Sequence, residues 1–132
     1  MTVLVDTPIW SLALRRRHHQ LSLVEQRLVQ EWSGLVRRDR ALLVGPIRQE
    51  ILSGIRRESD FEVLRERLQA FPDVPLHTRD HEEAARFFNQ CRNRGVTGSP
   101  IDLLLCAVAH RRDLSIFTLH TDFERYARHV PV

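Results

Sequence analysis

The chain has 132 residues, 42% of them hydrophobic, and a formal net charge of +3. That is enough for one domain with a real core and too little for two, so a single domain over 1–132 is expected. The longest apolar run, residues 103–109, falls far below the roughly 20 residues of a membrane span, and residues 1–5 run straight into Asp6 rather than into a leader's apolar core. A soluble, cytoplasmic protein is the expectation.

Two cysteines, Cys91 and Cys106, are too few for a disulfide framework or a zinc site and read as reduced core residues. All twenty basic side chains are arginine. Every cation is therefore a planar fork suited to phosphate or carboxylate, and mechanisms that need a lysine are excluded.

Residues 2–5, β-branched and apolar, predict a strand buried on both faces. Thr7 reads as N-cap and Pro8 as first residue of a short helix carrying Ile9, Trp10 and Leu14. Ser22-Leu23-Val24-Glu25 is a capping box, and Val24, Leu28, Trp32 and Leu35 keep helical spacing to about Arg38. Residues 41–44 predict a second buried strand, closed by Gly45-Pro46, after which a helix bears Ile47, Glu50 and Ile51. Ser59-Asp60-Phe61-Glu62 reads as another capping box, with Phe61, Leu64, Leu68 and Phe71 along one face. Pro72 and Pro75 bracket a turn into a weak strand near Leu76-His77.

Asp80-His81-Glu82-Glu83 is expected to cap a helix with a buried stripe of Ala84, Phe87, Phe88 and Cys91, ended by Gly95. Ser99-Pro100 opens a strongly apolar helix from 101 to about 110. Residues 115–119 predict the last clear strand, 122–127 a closing helical turn or two, and 130–132 an edge strand. Apolar strands alternating with helices argue for an α/β fold, an α/β/α sandwich on a mainly parallel sheet.

In such sheets ligands bind beyond the carboxyl ends of the strands. Asp6 follows strand one, and Glu50 lies in the helix after strand two. Asp122 comes three residues after the last strand, and Asp102 sits in the first turn of the apolar helix. Singly, each has an ordinary explanation as a cap, a dipole complement or a surface charge. Together they suggest one site at one edge of the sheet. Asp102 weighs most, because a carboxylate at the mouth of a buried helix is costly unless something pairs with it. Clustered carboxylates repel unless they take up protons or bind a cation. A hard ion such as Mg²⁺ or Mn²⁺ suits them and serves phosphodiester hydrolysis, with the acids as base or water-positioning groups.

The segments Val3-Leu4-Val5-Asp6-Thr7, Pro46-Ile47-Arg48-Gln49-Glu50, Ile101-Asp102-Leu103-Leu104-Leu105-Cys106-Ala107 and Thr118-Leu119-His120-Thr121-Asp122-Phe123 resemble the successive motifs of PIN-domain proteins. Their order and spacing suit the VapC toxins of bacterial type II toxin–antitoxin modules, and the resemblance covers essentially the whole chain. It implies a PIN-like sandwich and a toxin that is a Mg²⁺- or Mn²⁺-dependent endoribonuclease, cutting structured RNA such as transfer or ribosomal RNA. It also implies a homodimer neutralised by a VapB-type antitoxin. Carried over, Asp6 and Asp102 would be the principal metal ligands. Glu50 and Asp122 would complete the catalytic quartet, partly through water, and Thr7 and Thr118 would hold carboxylate rotamers. Such proteins often carry Asp or Asn two residues after the last motif's threonine; here that residue is His120, expected as an exposed loop histidine without a role. If that earlier position were the functional one, the site would be three acids and an imidazole.

Arg15-Arg16-Arg17-His18-His19 is either an RNA-backbone grip or a solvated helix end. Arg48 either holds a phosphate or pairs with Glu50, and Arg111-Arg112 read as complements to a helix dipole. Trp10 and Trp32 read as core or dimer interface. Three rivals stay open. An aspartyl-phosphate protein would want a late lysine, and a phosphatase of that kind a second acid where Pro8 stands. A non-catalytic RNA or DNA binder would tolerate Asp6→Asn. A PIN fold kept for protein interaction would bind an antitoxin-like helix without cleaving.

Overall fold

A computed structural model describes residues 2–132. Strands β1 (Val3–Val5), β2 (Ala41–Leu42) and β3 (Ser115–Phe117) form a parallel sheet in the order β2-β1-β3. The register pairs Val3 with Ala41 on one side of β1 and Val3, Leu4 and Val5 with Ser115, Ile116 and Phe117 on the other. Helices α1 (Thr7–Leu14) and α2 (Leu23–Arg37), with a 3-10 turn at His18–Gln20 between them, connect β1 to β2. Helices α3 (Gly45–Leu52), α4 (Glu58–Leu68), α5 (Thr78–Asn93) and α6 (Pro100–Arg112) connect β2 to β3, and α7 (Asp122–Ala127) follows. The first connection runs from β1 to β2 and the second back across β1 to β3, so right-handed crossovers in opposite directions place them on opposite faces of the sheet. This is the expected sandwich. Among the described residues no helix is long and apolar enough to cross a membrane.

The core is built from β1, Ile9, Trp10, Ile47, Ile51, Leu68, Phe87 and the continuous stretch from Leu103 to Ala109 on α6. Trp10 is fully buried; its indole N–H donates to the Val5 carbonyl at 2.9 Å, and its ring meets Trp32 and Phe71 edge-on. Both cysteines are free and buried, and desolvation pushes the Cys106 thiol up to about 12.

The strands end sooner than the apolar runs suggest. After Phe117 the Thr118 hydroxyl accepts from the His120 N–H at 3.0 Å, a side-chain turn that replaces the ladder. No strand forms at Leu76-His77. Instead Asp73 bridges Leu43, with the Val74 N–H on the Leu43 carbonyl at 2.8 Å; Pro72 and Pro75 have no N–H to extend it. Residues 130–132 form no edge strand, because Val130 turns into the core.

Five helix starts shed light on local chemistry. The Ser22–Glu25 capping box and the Ser99 cap form as expected. At α1 the cap is Asp6, not Thr7. Helix α4 starts at Glu58 with no side-chain cap, so the Ser59 box does not form; Glu58 and Asp60 complement the helix dipole instead. Asp80 lies within α5, three residues after the His77 cap, and accepts the His77 N–H at 2.7 Å. Val24, the first of the helically spaced residues of α2, is exposed together with Leu23. Gly95 has φ +82°, the left-handed conformation that ends α5.

Candidate metal and active site

Asp6 sits where β1 becomes α1. Its N–H donates to the Phe117 carbonyl at 2.9 Å, continuing the β1–β3 ladder by one rung. The residue is 3% exposed and its carboxylate is held at both oxygens. Oδ1 accepts the Thr7 N–H at 2.8 Å, and Oδ2 accepts the Thr118 hydroxyl at 2.7 Å. The parallel register brings Thr118 there, since Val5 and Phe117 are partners and the next residues stay adjacent.

Asp102 enters from α6, 9% exposed, its N–H bonded to the Ser99 cap at 3.3 Å. Burial pushes its carboxyl above the ordinary carboxylate value. The Tyr126 hydroxyl opposes this, the Asp6 charge adds to it, His120 lowers it, and Asp122 raises it again. Donor atoms of Asp6, Asp102 and His120 all lie within 4.8 Å of one another. His120, half exposed, stands with its Nδ1 3.7 Å from Asp6 Oδ2.

Glu50 joins through a hydroxyl. The Thr7 Oγ1–H donates to Glu50 Oε2 at 2.6 Å, so Thr7 ties α3 to the Asp6 turn. Asp122 stands further out. It is exposed and paired with Arg125 at 3.3 Å, close enough to act on Asp102 electrostatically but outside the compact triad. Apart from His120, no cationic side chain among the described residues pairs with Asp6, Glu50 or Asp102. Two buried carboxylates in one cluster without an arginine between them fit a divalent cation, with the imidazole as a further donor.

Tyr126 is the participant that the sequence pattern did not single out. Buried on α7, it donates its hydroxyl to Asp102 Oδ2 at 3.0 Å and accepts the Ser99 N–H at 3.4 Å. Desolvation and the nearby Asp102 charge push the phenol up to about 12, so it stays a donor. Its ring packs against Gly98, where a Cβ would sit 3.0 Å from Tyr126 and 2.3 Å from Leu103. The available signal was a lone tyrosine three residues after Phe123 on a short helix, since a buried phenol needs a partner for its hydroxyl.

Two arginine expectations are corrected. Arg48 faces away from Glu50: its Nε bonds Asp73 at 2.9 Å, and its Nη atoms bond the Leu68 and Phe71 carbonyls, so it anchors the 68–73 turn. Arg111 and Arg112 do more than face a helix dipole, because both reach the fully buried Asp80. Arg112 binds it through both nitrogens at 2.7 and 3.0 Å, and Arg111 Nε lies at 2.9 Å.

The PIN domain family profile matches residues 3–129. The chain belongs to the PIN domain family. The crystal structure of FitAcB from Neisseria gonorrhoeae superposes with a TM-score of 0.76 over 96% of this chain and 94% of that one, at 20% identity. That likeness is one of fold. No curated protein matches at a significant level. PIN domains are typically nucleases and generally bind divalent metals, and in this PIN domain the buried acids lie at the carboxyl edge of β1 and β3.

Proposed function

We propose that this PIN domain is a toxin of a toxin–antitoxin pair and acts as a Mg²⁺- or Mn²⁺-dependent endoribonuclease. The observation that carries the reading is the convergence of Asp6, Asp102 and His120 donor atoms within 4.8 Å, with Glu50 tied to the same turn by Thr7. Asp6 and Asp102 would hold the ion, with His120 beside them; Glu50 and Asp122 would act at its periphery. The bound ion supplies charge neutralisation on the phosphodiester and eases deprotonation of a water. The protein's own part is positional. Thr118 and the Thr7 N–H fix the Asp6 carboxylate, Tyr126 fixes Asp102, and Thr7 turns Glu50 toward the site as the group that takes up a proton from water.

A homodimer and an antitoxin partner belong to the same proposal. An apolar groove of about 350 Å³ between α5 and α6, lined by Ala84, Ala85, Phe88, Pro100, Ile101 and Leu104, supports self-association. Exposed Leu23 and Val24 on α2 support a docking protein. RNA as substrate implies work in the cytoplasm.

The deciding experiment is RNA cleavage by the purified protein, with ends mapped after expression in cells. Cleavage with Mg²⁺ or Mn²⁺ that stops in EDTA and falls at least about 100-fold in Asp6→Ala and Asp102→Ala supports the reading. Cleavage unchanged by both substitutions ends it. RNA or antitoxin binding with no cleavage by the wild type leaves a non-catalytic PIN protein instead.

A further inference from the structure

Two cavities flank the outer half of α1. The first, about 400 Å³, is lined by Pro8, Ser11, Leu12, Arg15, Arg16 and Leu119, with Glu25 at its rim. The second, about 430 Å³, lies between the end of α1, the α3–α4 loop and α4, with Arg15, Arg56 and Arg67 around Leu14, Ile55 and Val63. Arg15 lines both, and Leu119 precedes His120 of the metal cluster. Sharing Arg15, the two cavities adjoin at the end of α1 and together outline a track along it, with Leu119 lining the inner one. Helical rise makes Thr7 to Leu14 about 10 Å, a reach of a few nucleotides.

The charges along this track are unequally engaged. Of its two acids, Glu25 is hydrogen-bonded in the α2 capping box, and Asp60 lies 4.0 Å from the cation of Arg57. Arg67 is oriented by a 3.1 Å bond to the Leu14 carbonyl, whereas the Arg15 and Arg56 guanidinium groups have no side-chain partner among the described residues. Unpaired guanidinium forks over an apolar floor suit a polyanion that carries flat apolar groups. Phosphates meet the forks and a base lies on the floor.

We propose that Arg15, Arg56 and Arg67 form a subsite for the single-stranded flank of an RNA substrate, with a base seated against Ile55 and Val63. The strand's direction from the cluster rests on the ribonuclease reading; the track's capacity to bind single-stranded RNA does not.

The test uses the full-length Asp6→Asn protein, fluorescently labelled oligouridine of about 12 nucleotides, and anisotropy over a salt series. Adding Arg15→Gln and Arg56→Gln makes the slope of log affinity against log salt less negative by about 1.4, because each single-strand phosphate contact contributes about 0.7. Affinity at physiological salt falls about tenfold. Arg94→Gln, which removes one charge just beyond the end of α5, leaves both unchanged. An unaltered slope in the double variant, or an equal effect from Arg94→Gln, overturns the subsite. So does an oligoglutamate peptide that outcompetes oligouridine, which makes the track a protein-docking groove. A wild type that binds through the track yet cleaves no RNA defeats the ribonuclease reading alone. A wild type that cleaves RNA with the same KM as Arg15→Gln/Arg56→Gln defeats the subsite alone.

Discussion

At Asp102, burial pulls the carboxyl toward its neutral form, and the Tyr126 hydroxyl, bonded to Oδ2, pulls it back toward the ionised form that a cation requires. Tyr126→Phe removes only the second influence and keeps the ring against Gly98. The sign follows directly. With its value raised further, Asp102 takes up its proton at higher pH, so cation binding weakens earlier as pH falls. Mn²⁺ titrations of the two proteins at several pH values should part most at the acid end, with affinity down roughly tenfold there. The facing Asp6, Asp122 and His120 are common to both proteins and cancel in the comparison. His120 sets a second expectation. An imidazole among the donors favours Mn²⁺ over Mg²⁺, which prefers oxygen. His120→Asp should shift nuclease activity toward Mg²⁺, read as the ratio of rates with the two ions; an unchanged ratio removes His120 from the site. The meeting of Asp6 and Asp102 was legible in the sequence because one follows a strand and the other opens a helix at the expected sheet edge. Tyr126 was not, because its meaning depends on a neighbour 24 residues away that only the packing supplies.

Between elements, the Asp80 clamp ties the start of α5 to the end of α6, and these two helices carry much of the core. The Arg112 hydrogen bonds hold the Asp80 carboxyl far below its ordinary value against the opposing cost of burial, with the His77 N–H and Arg111 adding to the effect. A group depressed on folding contributes stability that is complete well above the unfolded value near 4 and is lost as pH falls through it toward the folded value. Asp80→Ala should cost about 3 kcal/mol at pH 7, near the lower end for a broken buried pair because both arginines are partly exposed. That corresponds to a drop of about 10 °C in Tm. The gap between wild type and Asp80→Ala should narrow in urea melts run at pH 3. A constant gap would mean that the clamp is not ionic. Helix existence was legible from apolar spacing, and so were the Ser22 and Ser99 caps; the Ser59 box was misread because α4 starts one residue earlier, at Glu58. The destinations of Arg48, Arg111 and Arg112 were not. A long guanidinium goes wherever a carboxylate or bare carbonyl arrives from another element, and Asp80 and Asp73 arrive from 25 or more residues away.

Over the whole molecule, three short parallel strands with long crossovers give a fold whose important contacts are non-local. Apolar runs disclosed the strand order's raw material, but the ends of strands were misjudged wherever a side chain, as at Thr118, took over a backbone partner. The Asp6 turn is completed by Thr118, 112 residues later in the chain, and Asp102 by Tyr126. Asp6 is thus made 112 residues before the hydroxyl that holds its Oδ2, and Asp102 24 residues before the Tyr126 hydroxyl. On the ribonuclease reading proposed above, the site is incomplete until Thr118 and Tyr126 have been made. A version ending at residue 114, assayed as nascent chains stalled on ribosomes, should neither retain Mn²⁺ nor cut RNA, and activity should switch on only after the end of α7 has been made.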